Sequence, residues 1–286
     1  MKLIAQKNRI KDTLFKYFGI FSTCFGLIML MIFITNILII GLPRLNLQFF
    51  TSFPSRKAEE AGILVALVGS LWIMMLTAIM AIPLGIASGI YLEEYGKKNK
   101  FAQFIEINIT NLAGVPSIIY GLLALEIFVR ILGLGKSILA GSLTLALLIL
   151  PIIIVATREA LKAVPHSIRE ASFALGATKW QTIWHQVLPA SSGGILTGVI
   201  LALSRAIGET APLIVVGAVL FVTTLPMSPM DDFSILPMQV YNWLSRPQKA
   251  FTVNATAAII VLLFITFMLN GIAIFLRNKW QKKVKW

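Results

Sequence analysis

Apolar residues run along this chain in six long blocks, at 18–42, 63–91, 107–132, 137–156, 194–219 and 255–276. Crossing about 30 Å of hydrocarbon takes roughly 20 helical residues, and each block is long enough. The pattern therefore predicts an all-α integral membrane protein with about six transmembrane helices. The first block exceeds the core of a cleavable signal, and no small-residue cleavage site follows it. The second and third blocks exceed the minimum, which predicts kinked or tilted helices with Pro83 and Pro116 as the breakpoints. One polar stretch, 158–192, separates the fourth and fifth blocks. It reads as two short amphipathic helices. Ile168, Ala171 and Leu175 share a face of the first, and Trp180, Ile183, Trp184 and Val187 share a face of the second. Gly176 supplies the backbone freedom for a tight turn between them.

Composition agrees with a lipid environment. Only 13% of the 286 residues are charged, against about a quarter in soluble domains. The single cysteine, Cys24, excludes an intrachain disulfide. A net charge of +13 raises the question of nucleic acid, but the basic residues sit at the ends of the apolar blocks. An even number of spans puts both termini on one side. That side collects Lys2, Lys7, Arg9, Lys11 and Lys16, then Lys97, Lys98 and Lys100, then Arg158, Lys162, Arg169 and Lys179, and finally Arg277, Lys279, Lys282, Lys283 and Lys285. The other side holds fewer: Arg44, Arg56, Lys57, Arg130, Lys136, Arg246 and Lys249. The positive-inside rule then makes the tails 1–17 and 277–286 and the loop 158–192 cytoplasmic, and the loop 221–254 external. Pro226, Pro229, Pro237 and Pro247 stiffen that external loop. Residues 238–243 within it are expected to form a short interfacial helix, with Tyr241 and Trp243 as boundary anchors or as contacts to an external partner.

Charge within the spans points to function. Arg205 and Glu209 lie four apart in the fifth block, on one helix face, flanked by Ser204 and Thr210. An arginine at a helix centre costs about 3 kcal/mol on insertion scales, so it is expected to line a wet path or to pair. A guanidinium offers forked donors suited to an oxyanion. Gly208 and Pro212 loosen the helix at this point. Glu126 and Arg130 repeat the spacing near the outer end of the third block, as a second pathway pair or a structural pair with Arg130 snorkelling to the interface.

No catalytic residues and no metal or cofactor site are expected. Gly135-Lys136-Ser137 resembles part of a phosphate-binding loop, but Arg130 stands where its first glycine is required. His166 and His185 have no metal-ligand pattern, and no nucleophile, base and orienting group can be placed together. Energy for transport would have to enter through a partner.

The segment from Glu170 to Pro189 resembles the EAA loop of ABC importer permeases. Glu170, Ala171, Gly176, Leu188 and Pro189 fit its pattern, with Leu175 and Ala177 beside the glycine; Ser172 and Gln186 depart from it. The stretches 91–95, 114–121, 205–212 and 241–247 are similar to the PstA-type permeases of phosphate importers. The resemblance implies a type I, MetI-like permease whose Arg205 and Glu209 line the path for phosphate. It implies that Glu170, Ala171, Leu175, Gly176, Ala177, Leu188 and Pro189 couple to an ATPase. It also implies three partners: a PstC-like second permease, a PstB-like cytoplasmic ATPase dimer and a PstS-like external phosphate-binding protein. A permease for a related oxyanion such as phosphonate, a secondary anion transporter without an ATPase, and a non-transporting assembly or sensory protein are the competing functions. The secondary-transporter class is disfavoured by the lack of internal symmetry.

Overall fold

The computed structural model describes residues 2–96, 100–218 and 221–281. Lys97, Lys98, Val219 and the tail lysines 282, 283 and 285 lie outside the described residues. In chain order the helices are α1 (Lys2–Gly41), α2 (Leu47–Thr51), α3 (Leu64–Ile90), α4 (Lys100–Ala113), α5 (Ser117–Ala124), α6 (Ile138–Lys162), α7 (His166–Ala174), α8 (Lys179–Thr182), α9 (Leu188–Ile207), α10 (Ala211–Val216), α11 (Leu236–Leu244) and α12 (Lys249–Gln281). Wide π turns extend α3 (Tyr91–Tyr95) and α5 (Leu125–Ile131), and a third (Ile183–Val187) joins α8 to α9. No strand occurs among the described residues.

Five helical stretches are long and apolar enough to cross a membrane: Lys11–Arg44, Leu64–Tyr95, Ile138–Lys162, Lys179–Ile207 and Lys249–Lys279. The sixth candidate is a pair, Gln103–Ala113 and Ser117–Ile131, bent by 110°. The third block thus breaks at Pro116 as expected, but by a bend much sharper than a kink. Gly114 and Pro116 separate α4 from α5, because a proline drives the residue before it out of the helical region. The Tyr120 hydroxyl donates to the Leu112 carbonyl (2.8 Å) and holds the bend. Pro83, by contrast, sits inside the unbroken α3.

The fifth block also differs from a single span. α9 ends at Ile207, and α10 starts only at Ala211. At its other end α9 is continuous with α8, so the second amphipathic helix expected in 158–192 is the extension of a span. Pro189 cannot accept the regular helical arrangement, and the chain widens just before it: the Leu188 amide donates to Ile183 O, five residues back.

α3, α6 and α9 form the centre of the bundle. Among helices in lipid, close approach needs small residues at the contact. Gly85 and Gly89 of α3 lie against Ile153 and Thr157 of α6, and Gly194 and Gly198 of α9 lie against Ala160 and Ala156. Further along this antiparallel pair, Ala202 and Ala206 of α9 share a buried cluster with Ile153 and Ile149 of α6. A side chain added at Gly69 of α3 would press into the backbone carbonyl of Ser234. Gly69→Ala is therefore expected to lower stability by about 1–3 kcal/mol, read as an earlier thermal transition of the purified protein; an unchanged transition would contradict this packing.

α6 spans about 37 Å at 1.5 Å per residue, and its two ends define the two ends of the bundle. At its start, Ile138 and Leu139 amides donate to Asp231 O (3.1 Å) and Pro229 O (2.8 Å). The Ser228 and Met227 amides hold the Asp231 carboxyl below its ordinary range. α11 packs at this end. Trp243 is fully buried there, between Phe49 (6.0 Å) and Phe251 (6.5 Å), so it is a core residue and not a boundary anchor. Tyr241, two residues away, is exposed. Arg44 is equally structural: it donates to Asn254 Oδ1 (2.8 Å) and Glu59 O (2.7 Å), tying the loop before α3 to the start of α12.

Candidate functional site

Arg205 lies in the last turn of α9, at a height set by the α6 register near the middle of α6. It is thus at mid-bundle and at a helix end simultaneously, where a cation also favours the helix dipole. Gly208 and Glu209 close the helix with tightened bonds to Arg205 O (3.3 Å) and Ala206 O (3.2 Å). Thr210 occupies the break before α10, half-buried, with its hydroxyl 3.5 Å from Gly208 O. The second helix break, between α4 and α5, is nearby. Gly121 of α5 packs on Pro212 of α10, and Tyr120 shares a buried cluster with Ala206 of α9. Two helix breaks therefore meet beside the end of α9 that carries Arg205. Non-helical backbone at membrane depth is tolerated where it is covered by protein or lines a wet cavity.

Arg205 Nε is 3.4 Å from Glu209 Oε1, a loose pair, and the arginine side chain is 44% exposed against 18% for the glutamate. Leu201, Arg205 and Gly208 form one exposed face of α9. Glu209 turns inward, to a small void it shares with Ser70, Leu145 and Leu213. The Arg205 side chain is thus on the exposed side of α9. Ser204, also expected in the path, points elsewhere. Its hydroxyl meets Ile200 O (2.7 Å) and Asn270 Oδ1 of α12, at a crevice of about 360 Å³ between α3, α9 and α12. Glu126 and Arg130 lie in the π turn after α5, paired at 2.8 Å with both side chains more than half exposed. An exposed pair of this kind is worth about 0–1 kcal/mol.

At the opposite end of α6, α7 and α8 form the turn expected around Gly176, whose φ is +80°. Thr178 caps α8 reciprocally with Gln181 (3.3 and 2.8 Å), and the hydroxyls of Ser172 and Thr182 meet at 2.9 Å across the turn. The Ala177 amide donates to Ser172 O (3.2 Å). Glu170, Ala171, Leu175, Gly176 and Pro189 are exposed, Leu175 to 90%, whereas Ala177 and Leu188 are half-buried. The expected faces need correction. Ile183 and Val187 are buried while Trp180 and Trp184, the neighbouring stripe of the helix, are exposed and stacked at 5.6 Å. Ile168 packs inward with Val187 and Val164, away from exposed Leu175.

Comparison with known proteins bears on this arrangement. Residues 81–279 match the family described as binding-protein-dependent transport system inner membrane component. The phosphate transport system permease protein PstA of Haemophilus influenzae is 34% identical, over 92% of this chain and 91% of its own. PstA of Yersinia pestis is 34% identical over 96% of this chain and 92% of its own. The probable ABC transporter permease protein YqgI of Bacillus subtilis is 31% identical over 88% and 91%. The chain belongs to the binding-protein-dependent transport permeases. Solved structures share its fold. A chain of the inward-facing MetNI methionine ABC transporter superposes with a TM-score of 0.63 at 18% identity, over 74% of this chain and 93% of that one. A chain of a bacterial alginate ABC transporter, in complex with a periplasmic protein bound to alginate pentasaccharide, gives 0.67 at 15% identity, over 93% and 94%.

The permease also uses polar residues that its sequence did not single out as a site. Glu93 and Glu94 sit in the π turn that ends α3, and Glu93 is 2% exposed. Arg158 of α6 lies 3.7 Å from Glu93 and 2.7 Å from Glu106 of α4. Arg169 of α7 is buried and donates to Glu94 Oε1 from Nε (3.2 Å) and Nη2 (2.8 Å). Lys179 donates to Glu94 O and lies over the Tyr95 ring at 4.4 Å. Arg158, Arg169 and Lys179 had counted only as membrane-edge charges. The available signal was two adjacent carboxylates closing an apolar block.

Proposed function

We propose that this chain is the transmembrane permease subunit of an ATP-driven importer of inorganic phosphate, seated in the cytoplasmic membrane of a bacterium or archaeon. Its six-span body covers 18–276 between basic cytoplasmic tails, 1–17 and 277–286, with 158–192 on the cytoplasmic side and 221–254 outside. A second, PstC-like permease completes the path, a PstB-like ATPase dimer docks below, and a PstS-like binding protein delivers phosphate from outside.

Similarity to the PstA permeases over nearly the whole chain carries the choice of substrate. The Arg205 region supports it chemically. A charged side chain exposed on the apolar face of a span is untenable against lipid, so this face needs water or another subunit beside it. An arginine there gives a dianion a transient, bidentate stop, loose enough for release. The membrane potential opposes anion entry by about 2.3 kcal/mol per charge per 100 mV, so accumulation requires coupling to ATP.

The test is uptake of labelled phosphate by the full complex in proteoliposomes. Accumulation that needs both ATP and the loaded binding protein is expected. Accumulation of phosphonate without phosphate would reassign the substrate, and uptake without ATP would contradict the coupled importer.

A further inference from the structure

We infer that Arg169 and Glu94 form the mechanical joint through which displacement of α7 reaches the transmembrane core, making both residues positioning residues for coupling. This deepens the proposed importer function and rests on α7 being driven by an ATPase.

α7 packs chiefly on α8 and the adjoining π turn, with little direct packing on the core spans. Beside the apolar contact of Ile168 with the cluster of Leu161, Val164 and Val187, its polar link to α3 and α6 is the Arg169 side chain. Beyond the two bonds to Glu94, Nη1 donates to Val164 O (2.8 Å) and Nη2 to Leu161 O (3.0 Å). Leu161 lies in the last turn of α6, where its carbonyl also accepts from the Val164 amide (3.2 Å), and Val164 follows the helix end, where carbonyls run short of intrahelical donors. One guanidinium thus satisfies the end of α6, neutralises the end of α3 and belongs to α7. Its planar fork fixes direction as well as distance.

On the far side of the joint α3 and α6 interlock through Gly85 and Gly89, with Glu93, adjacent to Glu94, 3.7 Å from Arg158 of α6. A push on α7 cannot tilt it alone without separating a buried ion pair, and removal of one partner from such a pair is heavily penalised. α7 and the α3–α6 pair therefore move as one body. α3 in turn borders the crevice that reaches Ser204 of α9, next to Arg205. Arg169 is the point where a small helix on the surface engages the spans that shape the path.

The test measures solute moved per ATP hydrolysed by the purified complex in proteoliposomes, using inorganic phosphate and, if phosphate is not moved, phosphonate. Arg169→Gln and Glu94→Gln are each expected to leave the ATPase bound and hydrolysing, and to lower the ratio roughly tenfold, the upper range for residues within a coupling network. Arg169→Lys, which keeps the charge and loses the fork, is expected to fall between. Wild-type ratios in both Gln variants would overturn the joint. So would failure of both variants to assemble, which would make the pair a folding element. Failure of phosphate uptake in the unaltered complex is a separate result and bears only on the substrate.

Discussion

Arg205→Gln is expected to lower phosphate uptake roughly a hundredfold while the complex still assembles. Two charge-assisted hydrogen bonds to an oxyanion are worth about 3 kcal/mol, and each 1.4 kcal/mol is about tenfold. Assembly should survive because Arg205 holds little in place: its ion pair with Glu209 is loose, at 3.4 Å, and the side chain is not buried. Glutamine is also a good helix former at the end of α9. Arg205→Lys keeps the charge and loses the fork, so an intermediate rate is expected. Glu209→Gln should be milder than Arg205→Gln, since the glutamate faces the inner void and not the exposed face. Uptake at the unaltered rate in Arg205→Gln would remove the guanidinium from the path.

Gly176→Ile should strip the ATPase from the membrane subunits. Gly176 holds a φ of +80°, and nothing lies within 4 Å of an added Cβ, so the penalty is purely conformational. The left-handed region costs an ordinary residue about 1–2 kcal/mol, and a β-branched residue is a stronger outlier there. The chain would relieve this by opening the turn, which moves α7 away from α8 and disrupts the surface formed by 170–177. Loss of most of the copurifying ATPase is the expected result. Gly176→Asn should behave nearly normally, because asparagine tolerates this conformation. An Ile variant that retains its full complement of ATPase would show that the turn does not govern docking.

The apolar blocks and the Gly176 turn could be read from the chain because each depends on local chemistry. Block length follows from transfer of side chains into hydrocarbon, and a positive φ selects glycine. The outcome at each proline could not be read so directly. Pro83 leaves α3 intact, Pro189 is absorbed by a π turn, and Pro116 accompanies a 110° bend. Neighbouring helices decide whether the freed backbone groups can be satisfied again. The same limit applies to tryptophan. Trp243 is in the core, whereas Trp180 and Trp184 are exposed, and an apolar period cannot separate a face in lipid from a face against protein. In the site, the Arg205–Glu209 spacing was visible because the two residues share a helix. Glu94 and Arg169 stand 75 residues apart, and only the packing of α3, α6 and α7 brings them together.

The sidedness of the 158–192 loop can be tested with a single thiol. With Cys24 replaced, a cysteine at exposed Ala163, just past the end of α6, is offered to a membrane-impermeant thiol reagent. Labelling in inside-out vesicles and protection in intact cells is the expected result, since the loop must meet a cytoplasmic motor. Labelling of Ala163→Cys from outside intact cells would put α7 beyond the reach of any ATPase and contradict ATP-driven import through this chain.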